Sequence, residues 1–87
     1  MADNCYGTYL RALREAKGKT LRETARALPV SPQFLSDVEL GNVGPFNLQF
    51  TGVLVGFLGL TVLETMPLTG LARLSRLERA IRKAEGE

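Results

Sequence analysis

Two helix-start signals, at Thr20 and at Ser31, constrain the fold more than any other feature of this chain. Thr20 is followed three residues later by Glu23, which is the spacing of a capping box. Ser31 is followed by Pro32, and this pair starts a helix because serine is a strong N-cap and proline is tolerated at the first helical position. The sequence therefore predicts two helices that follow each other closely.

The residues between and after these signals keep both helices short. Pro29 interrupts the first helical pattern, and Gly41 is placed to end the second helix. Ala25 is small, so the second helix can cross the first one closely, while Leu35 and Val38 lie on one face of the second helix. Two short helices joined by a tight turn are the geometry with which a small protein places a helix in the major groove of DNA.

Residues 9–41 resemble the lambda-repressor-like, Cro/C1-type helix-turn-helix family, and the run from Leu35 to Gly41 is fairly specific for it. The resemblance weakens over residues 45–63, where residues 59–61 still resemble the junction between the family's fourth and fifth helices. It implies an all-α fold, namely a five-helix lambda-repressor-like DNA-binding domain. It also implies a transcriptional regulator that binds double-stranded DNA as a homodimer.

The periodicity divides the chain into a helix-turn-helix domain, residues 1–66, and a C-terminal amphipathic helix, residues 67–87. The first helix is expected over residues 7–17, with Leu10 and Leu13 facing inward and Arg14 facing outward.

Pro67 is expected to break the fifth helix, and an additional helix then runs to about residue 84. Its apolar side contains Leu71, Leu74, Leu77, Ile81 and Ala84, and its basic side contains Arg73, Arg76, Arg79, Arg82 and Lys83. The apolar side would dock on the body or on a partner subunit. The basic side is a solvated face, a phosphate contact or a site for an acidic partner.

Residues 46–63 carry no charge, although three glycines and several polar residues argue against a membrane span. A helix that is apolar on every side must be covered on every side, which a small monomer does poorly. The sequence therefore predicts a homodimer whose interface contains Phe50, Leu54, Phe57 and Leu58. The alternative is that the C-terminal helix folds back and covers this face.

The charge is unevenly distributed along the chain. Residues 10–26 contain six basic and two acidic residues, whereas residues 27–67 contain three acidic residues and no basic one. DNA affinity comes largely from neutralised phosphates. The helix predicted to enter the major groove, which starts at Ser31, has no cation of its own, so its affinity for DNA must come from cations on neighbouring segments. The expected phosphate contacts are Lys19, Arg22, Arg26 and Asn42.

Base contacts are expected from the second helix of the motif. A glutamine pairs with adenine through two hydrogen bonds, aspartate accepts from the cytosine amino group, and a phenyl ring contacts the thymine methyl group. The candidates are Ser31, Gln33, Phe34, Ser36 and Asp37. Gln33 is alternatively just exposed, and Phe34 is alternatively part of the core or of a dimer contact.

Composition argues against an enzyme. The chain contains one cysteine and no histidine, so it has neither an internal disulfide nor a Cys/His zinc site, and no metal or cofactor is expected. Asp37 and Glu39 are two residues apart on a helix and therefore point to different sides. A reducing cytoplasm suits this cysteine usage, and residues 1–7 lack the pattern of a signal peptide.

Two functions remain open at this point. The first is a sequence-specific DNA-binding regulator that acts as a homodimer. The second is a protein-interaction module on the same scaffold, such as an antitoxin, a phage-encoded modulator or an assembly subunit, with a protein partner and weak or no DNA binding. The acidic second helix of the motif and the uncharged residues 46–63 favour the second function.

Overall fold

The computed structural model describes residues 5–86, and this part of the chain forms five α-helices. They are α1 (Cys5–Ala16), α2 (Leu21–Ala27), α3 (Pro32–Leu40), α4 (Leu48–Leu58) and α5 (Val62–Gly86). Helix α1 contacts α3 and α5, and α2 contacts α3 and α4. The all-α fold predicted from the sequence is confirmed.

The caps that the sequence predicts for α2 and α3 are all present. The Glu23 backbone N–H donates to the Thr20 hydroxyl at 3.1 Å, and the Thr20 N–H donates to the Glu23 carboxylate at 2.9 Å. At the start of α3, the Phe34 N–H donates to the Ser31 hydroxyl at 3.1 Å. Gly41 ends α3 with a φ of 84°, a left-handed conformation that glycine adopts without a Cβ clash. Local capping chemistry therefore fixes both ends of α3.

The predicted break at Pro67 is wrong, because α5 runs through this proline without interruption. Proline at this position removes the hydrogen bond to the Leu63 carbonyl and crowds that carbonyl with its ring. Because Leu63 is 81% exposed, water can bond to this carbonyl in place of the missing N–H. A second capping box stabilises the N-terminal end of α5. In it, Thr61 and Glu64 exchange hydrogen bonds of 2.9 and 3.2 Å. The predicted boundary between residues 66 and 67 therefore falls inside one helix.

Five leucines, each at most 1% exposed, lie at the centre of the core: Leu10, Leu28, Leu35, Leu54 and Leu68. The prediction that Leu54 and Leu58 lie at a dimer interface is therefore wrong, since both are buried inside a single chain. Phe50 and Phe57 are partly buried against the same core. The outward side of α4 instead carries small residues, Gly52 and Gly56, beside Val53, so α4 needs less cover than its uncharged sequence suggested.

A buried ion pair joins α1 to α3. Arg14 Nε donates to Glu39 at 2.7 Å and Nη2 donates to the other carboxylate oxygen at 3.1 Å, while Nη1 donates to the Lys19 carbonyl at 3.0 Å. The hydrogen bond to Glu39 raises the pKa of Arg14 further above its ordinary value. The expectation that Arg14 faces solvent is wrong because its charge is compensated by this bidentate partner.

Among residues 5–86, no helix is both long enough and apolar enough to cross a membrane.

Candidate nucleic-acid interface

An open groove of about 460 Å³ lies between the N-terminal ends of α2 and α3. Its walls are Thr20, Leu21, Arg22, Pro32, Gln33 and Ser36. We call it the recognition groove, because it brings one predicted phosphate contact, Arg22, to the same surface as two predicted base contacts, Gln33 and Ser36. The turn between α2 and α3 produces this convergence, as the capping signals of the two helices require.

Gln33 and Asp37 form a hydrogen-bonded pair on the exposed side of α3. They are one helical turn apart, and Gln33 Nε2 donates to Asp37 Oδ1 at 3.1 Å. An amide nitrogen has two hydrogens, so Gln33 keeps one N–H donor and its carbonyl oxygen for another partner. Those two groups are what adenine needs for a bidentate contact in the major groove. Asp37 thus holds the amide of Gln33 in one orientation.

The first turn of α3 presents one more polar and one more apolar group. The Ser31 hydroxyl accepts the Phe34 N–H, which leaves its own hydrogen free to be donated. Phe34 is 38% exposed, and its ring centroid lies 6.0 Å from that of Phe46. Phe34 therefore belongs partly to an aromatic cluster and partly to the exposed surface, and its contact with a base stays a prediction.

The four predicted phosphate contacts are distributed unevenly over the surface. Arg22 and Arg26 are exposed on α2 and line a second groove of about 260 Å³ beside Pro32. The ammonium group of Lys19 lies 5.1 Å above the ring of Phe57, a cation–π distance, and Lys19 lines neither groove. Asn42 is exposed beyond the C-terminal end of α3. Two arginines thus carry most of the positive charge next to the recognition groove.

The capping carboxylate of α2 lies close to these arginines and reduces their combined positive charge. Hydrogen bonds from the backbone N–H and the side chain of Thr20 lower the pKa of Glu23, and Lys19 and Arg26 add to this effect. Glu23 is therefore ionised at neutral pH. The surface around α2 carries positive charge of only moderate strength.

Two arginines hold the loop after α3. They belong to the basic side of the C-terminal helix, for which the sequence left open a solvated face, a phosphate contact or a site for an acidic partner. Arg79 donates to the Gly41 carbonyl at 2.9 Å, and Arg76 donates to the Phe46 carbonyl at 2.7 Å. The Phe46 N–H in turn donates to the Tyr6 hydroxyl at 3.4 Å, and burial raises the pKa of Tyr6 to about 12. These contacts join residues at least 30 positions apart, and no local sequence signal predicts them.

Within residues 5–86, no group of three or more histidine, cysteine, aspartate or glutamate residues is placed to hold a metal ion.

A family model described as "Helix-turn-helix domain" matches residues 6–68. No curated protein matches the chain. The chain is similar to the solved structure of the clp gene regulator ClgR from Corynebacterium glutamicum, with 28% sequence identity and a TM-score of 0.66. That likeness covers 97% of this chain and 89% of the other. The family match spans the two capped helices and the recognition groove between them, and on this ground the chain belongs to the helix-turn-helix domain family.

Proposed function

We propose that this protein is a sequence-specific DNA-binding transcriptional regulator that acts as a homodimer in the cytoplasm. The observation that carries the proposal is the recognition groove, where Gln33 and Ser36 of α3 lie beside Arg22 of α2. The name of the similar ClgR protein, a gene regulator, supports the same function. Control of transcription would follow from occupation of a promoter or from positioning of the polymerase.

In this proposal α3 enters the major groove of double-stranded DNA and reads base edges with its first two turns. Gln33 contacts adenine through its free N–H and its carbonyl oxygen, because Asp37 holds the amide in place. Ser31 and Ser36 donate to acceptors on neighbouring bases, and Phe34 contacts a thymine methyl group. Asp37 retains one carboxylate oxygen that can accept from a cytosine amino group.

Phosphate contacts in this proposal come from Lys19, Arg22, Arg26 and Asn42. Three of these side chains are cationic, which gives a salt dependence of roughly −3 per subunit in a plot of log K against log salt concentration. Since α3 itself has no lysine or arginine, the affinity depends on α2 and on the residues that flank it.

Two single substitutions test the assignment of roles. Gln33→Ala removes a base contact, so it should weaken binding to the preferred duplex about 10-fold to 100-fold and relax the preference at one base pair, without changing the salt slope. Arg22→Gln removes a phosphate contact, so it should weaken binding to all duplexes alike and reduce the salt slope by about 1. Fluorescence anisotropy over a salt series measures both quantities. If Gln33→Ala acts equally on preferred and unrelated duplexes, Gln33 does not read a base.

The protein-interaction module remains the second candidate function, and one observation favours it. No lysine or arginine occurs from residue 27 to residue 72, a stretch that includes all of α3 and α4. DNA binding that is absent even at about 50 mM salt, where phosphate contacts are strong, together with a stoichiometric protein partner, would select this function over the regulator.

A further inference from the structure

We infer that Arg79 and Arg82 of α5 bind backbone phosphates of DNA at the C-terminal end of α3. This inference rests on the proposed function and adds a second phosphate-binding surface to it, at the opposite end of α3 from the recognition groove. Both arginines line a small cleft of about 60 Å³, and its wall includes Gly41, the residue that ends α3. We call it the α5 cleft.

The C-terminal end of α3 is unfavourable for phosphate unless a cation lies beside it. The last carbonyl groups of a helix form the negative end of its dipole, and the last turn of α3 contains no basic residue. The loop that follows, residues 41–47, contains no lysine or arginine either. Helix α3 has nine residues and is therefore roughly 13 Å long, close to the ~12 Å width of the major groove. When its first turns read bases, its other end lies near the sugar–phosphate backbone.

Arg79 provides positive charge at this end of α3. Its Nη2 donates to the Gly41 carbonyl at 2.9 Å, and a Cβ atom on Gly44 would lie 3.7 Å from its Nε. The side chain thus lies across the loop. An arginine has five N–H groups, and the Gly41 carbonyl is the one hydrogen-bond acceptor that Arg79 uses within residues 5–86. Most of its N–H groups therefore remain for a phosphate, which arginine binds with paired hydrogen bonds.

Arg82 adds a second cation to the α5 cleft. It follows Arg79 by three residues, so the two side chains leave α5 about 60° apart and line the same cleft. Glu78 also lines the cleft and cancels one of the two positive charges, which leaves an excess of one. Ser75 is 8% exposed, and its hydroxyl, which has no hydrogen-bond partner within residues 5–86, is an unused donor in the wall of the cleft.

This second surface compensates for the shortage of positive charge around α3. The three cationic contacts next to α2 give a slope of roughly −3 per subunit in a plot of log K against log salt concentration. With Arg79 and Arg82 the slope should be roughly −5. Phosphates would then be held at both ends of α3, which fixes the orientation of the helix in the groove.

The first experiment measures DNA binding of the full chain by fluorescence anisotropy over a salt series, with preferred and unrelated duplexes. Arg79→Gln and Arg82→Gln should each weaken binding to both kinds of duplex about fivefold at about 0.15 M salt, and each should reduce the salt slope by about 1. The double variant should reduce it by about 2. Arg73→Gln is the matched control, because it removes the same charge from an exposed position about 180° around α5 from Arg82. It should keep the wild-type slope.

The second experiment separates phosphate binding from support of the loop. Arg79→Lys keeps the charge, so it should keep the wild-type salt slope that Arg79→Gln loses. If Arg79→Gln weakens binding with an unchanged slope, Arg79 only holds the loop and the inference is overturned. Arg82 is exposed, so Arg82→Gln tests the cleft even where Arg79→Gln unfolds the loop.

The slope of the wild type separates this inference from the proposed function. A wild-type slope of roughly −3, with an Arg82→Gln variant that binds like the wild type, would overturn the inference and leave the DNA-binding regulator in place. A wild-type protein that binds no duplex at about 50 mM salt would overturn both.

Discussion

Replacement of Arg14 by methionine is expected to lower the free energy of unfolding by about 3–5 kcal/mol. The substitution removes the guanidinium and leaves the Glu39 carboxylate without its partner, although that side chain is only 6% exposed. A buried charge without compensation is costly. The loss is a large part of the stability expected for a domain of this size, about 5–15 kcal/mol. Urea denaturation followed by circular dichroism measures it.

Two further variants show whether burial of the pair is the cause. Arg11→Met breaks the ion pair between Arg11 and Glu15, and both of these side chains are more than half exposed. This variant should lower the free energy of unfolding by no more than about 0.5 kcal/mol. The double variant Arg14→Met with Glu39→Leu removes both buried charges, so it should recover most of the loss. An Arg14→Met variant as stable as Arg11→Met would show that the buried pair contributes little.

Gly7→Ala is expected to destabilise the fold by about 2–3 kcal/mol and to displace α3. A Cβ atom on Gly7 would lie 2.3 Å from the Glu39 carbonyl oxygen and 2.6 Å from that of Val38, both of which are backbone atoms of α3. Backbone cannot move aside as a flexible side chain can, so α1 and α3 must separate. Because α3 carries the candidate base contacts, we also expect weaker binding to a preferred duplex. Denaturation and anisotropy measurements test the two effects.

Gly52→Ala is the matched control for that substitution. Gly52 is an exposed residue inside α4, and a Cβ atom on it would have no heavy atom within 4 Å apart from its chain neighbours and the backbone of its own helix. Alanine has a higher helix propensity than glycine, so this variant should raise the free energy of unfolding by about 0.5–1 kcal/mol. If Gly7→Ala also stabilises the protein, α1 and α3 are not in the close contact that the structure describes.

Features encoded by neighbouring residues were predictable from the sequence. The caps at Thr20 and Ser31 and the glycine stop at Gly41 each depend on residues a few positions apart, and all three are present. The break expected at Pro67 was wrong, since α5 continues through this proline. The carbonyl that loses its hydrogen bond there belongs to the exposed Leu63, so water can bond to it instead. Capping patterns therefore predicted where α2 and α3 begin, but the proline pattern did not predict where α5 ends.

Features that depend on contacts between distant residues were not predictable in this way. Arg14 was expected in solvent because nothing near it in the sequence indicates that Glu39 would pair with it across two helices. Leu54 was assigned to a dimer interface because the uncharged residues 46–63 must be buried. Their sequence does not show which part of the protein buries them. In the candidate site, the residue types of α3 were predictable, and the hydrogen bond between Gln33 and Asp37 joins residues only one helical turn apart. The loop contacts of Arg76 and Arg79 join residues at least 30 positions apart, and no local pattern predicts them.

Selection of binding sites from random duplexes tests the central claim that α3 reads DNA sequence. The account predicts that the full chain enriches duplexes with an adenine-containing half-site, repeated about one helical turn, or roughly 34 Å, away. It also predicts that Gln33→Ala loses the preference for that adenine. The contradicting result is a pool that stays random at every salt concentration at which the protein binds DNA, including higher salt, where sequence-independent phosphate binding is weakened.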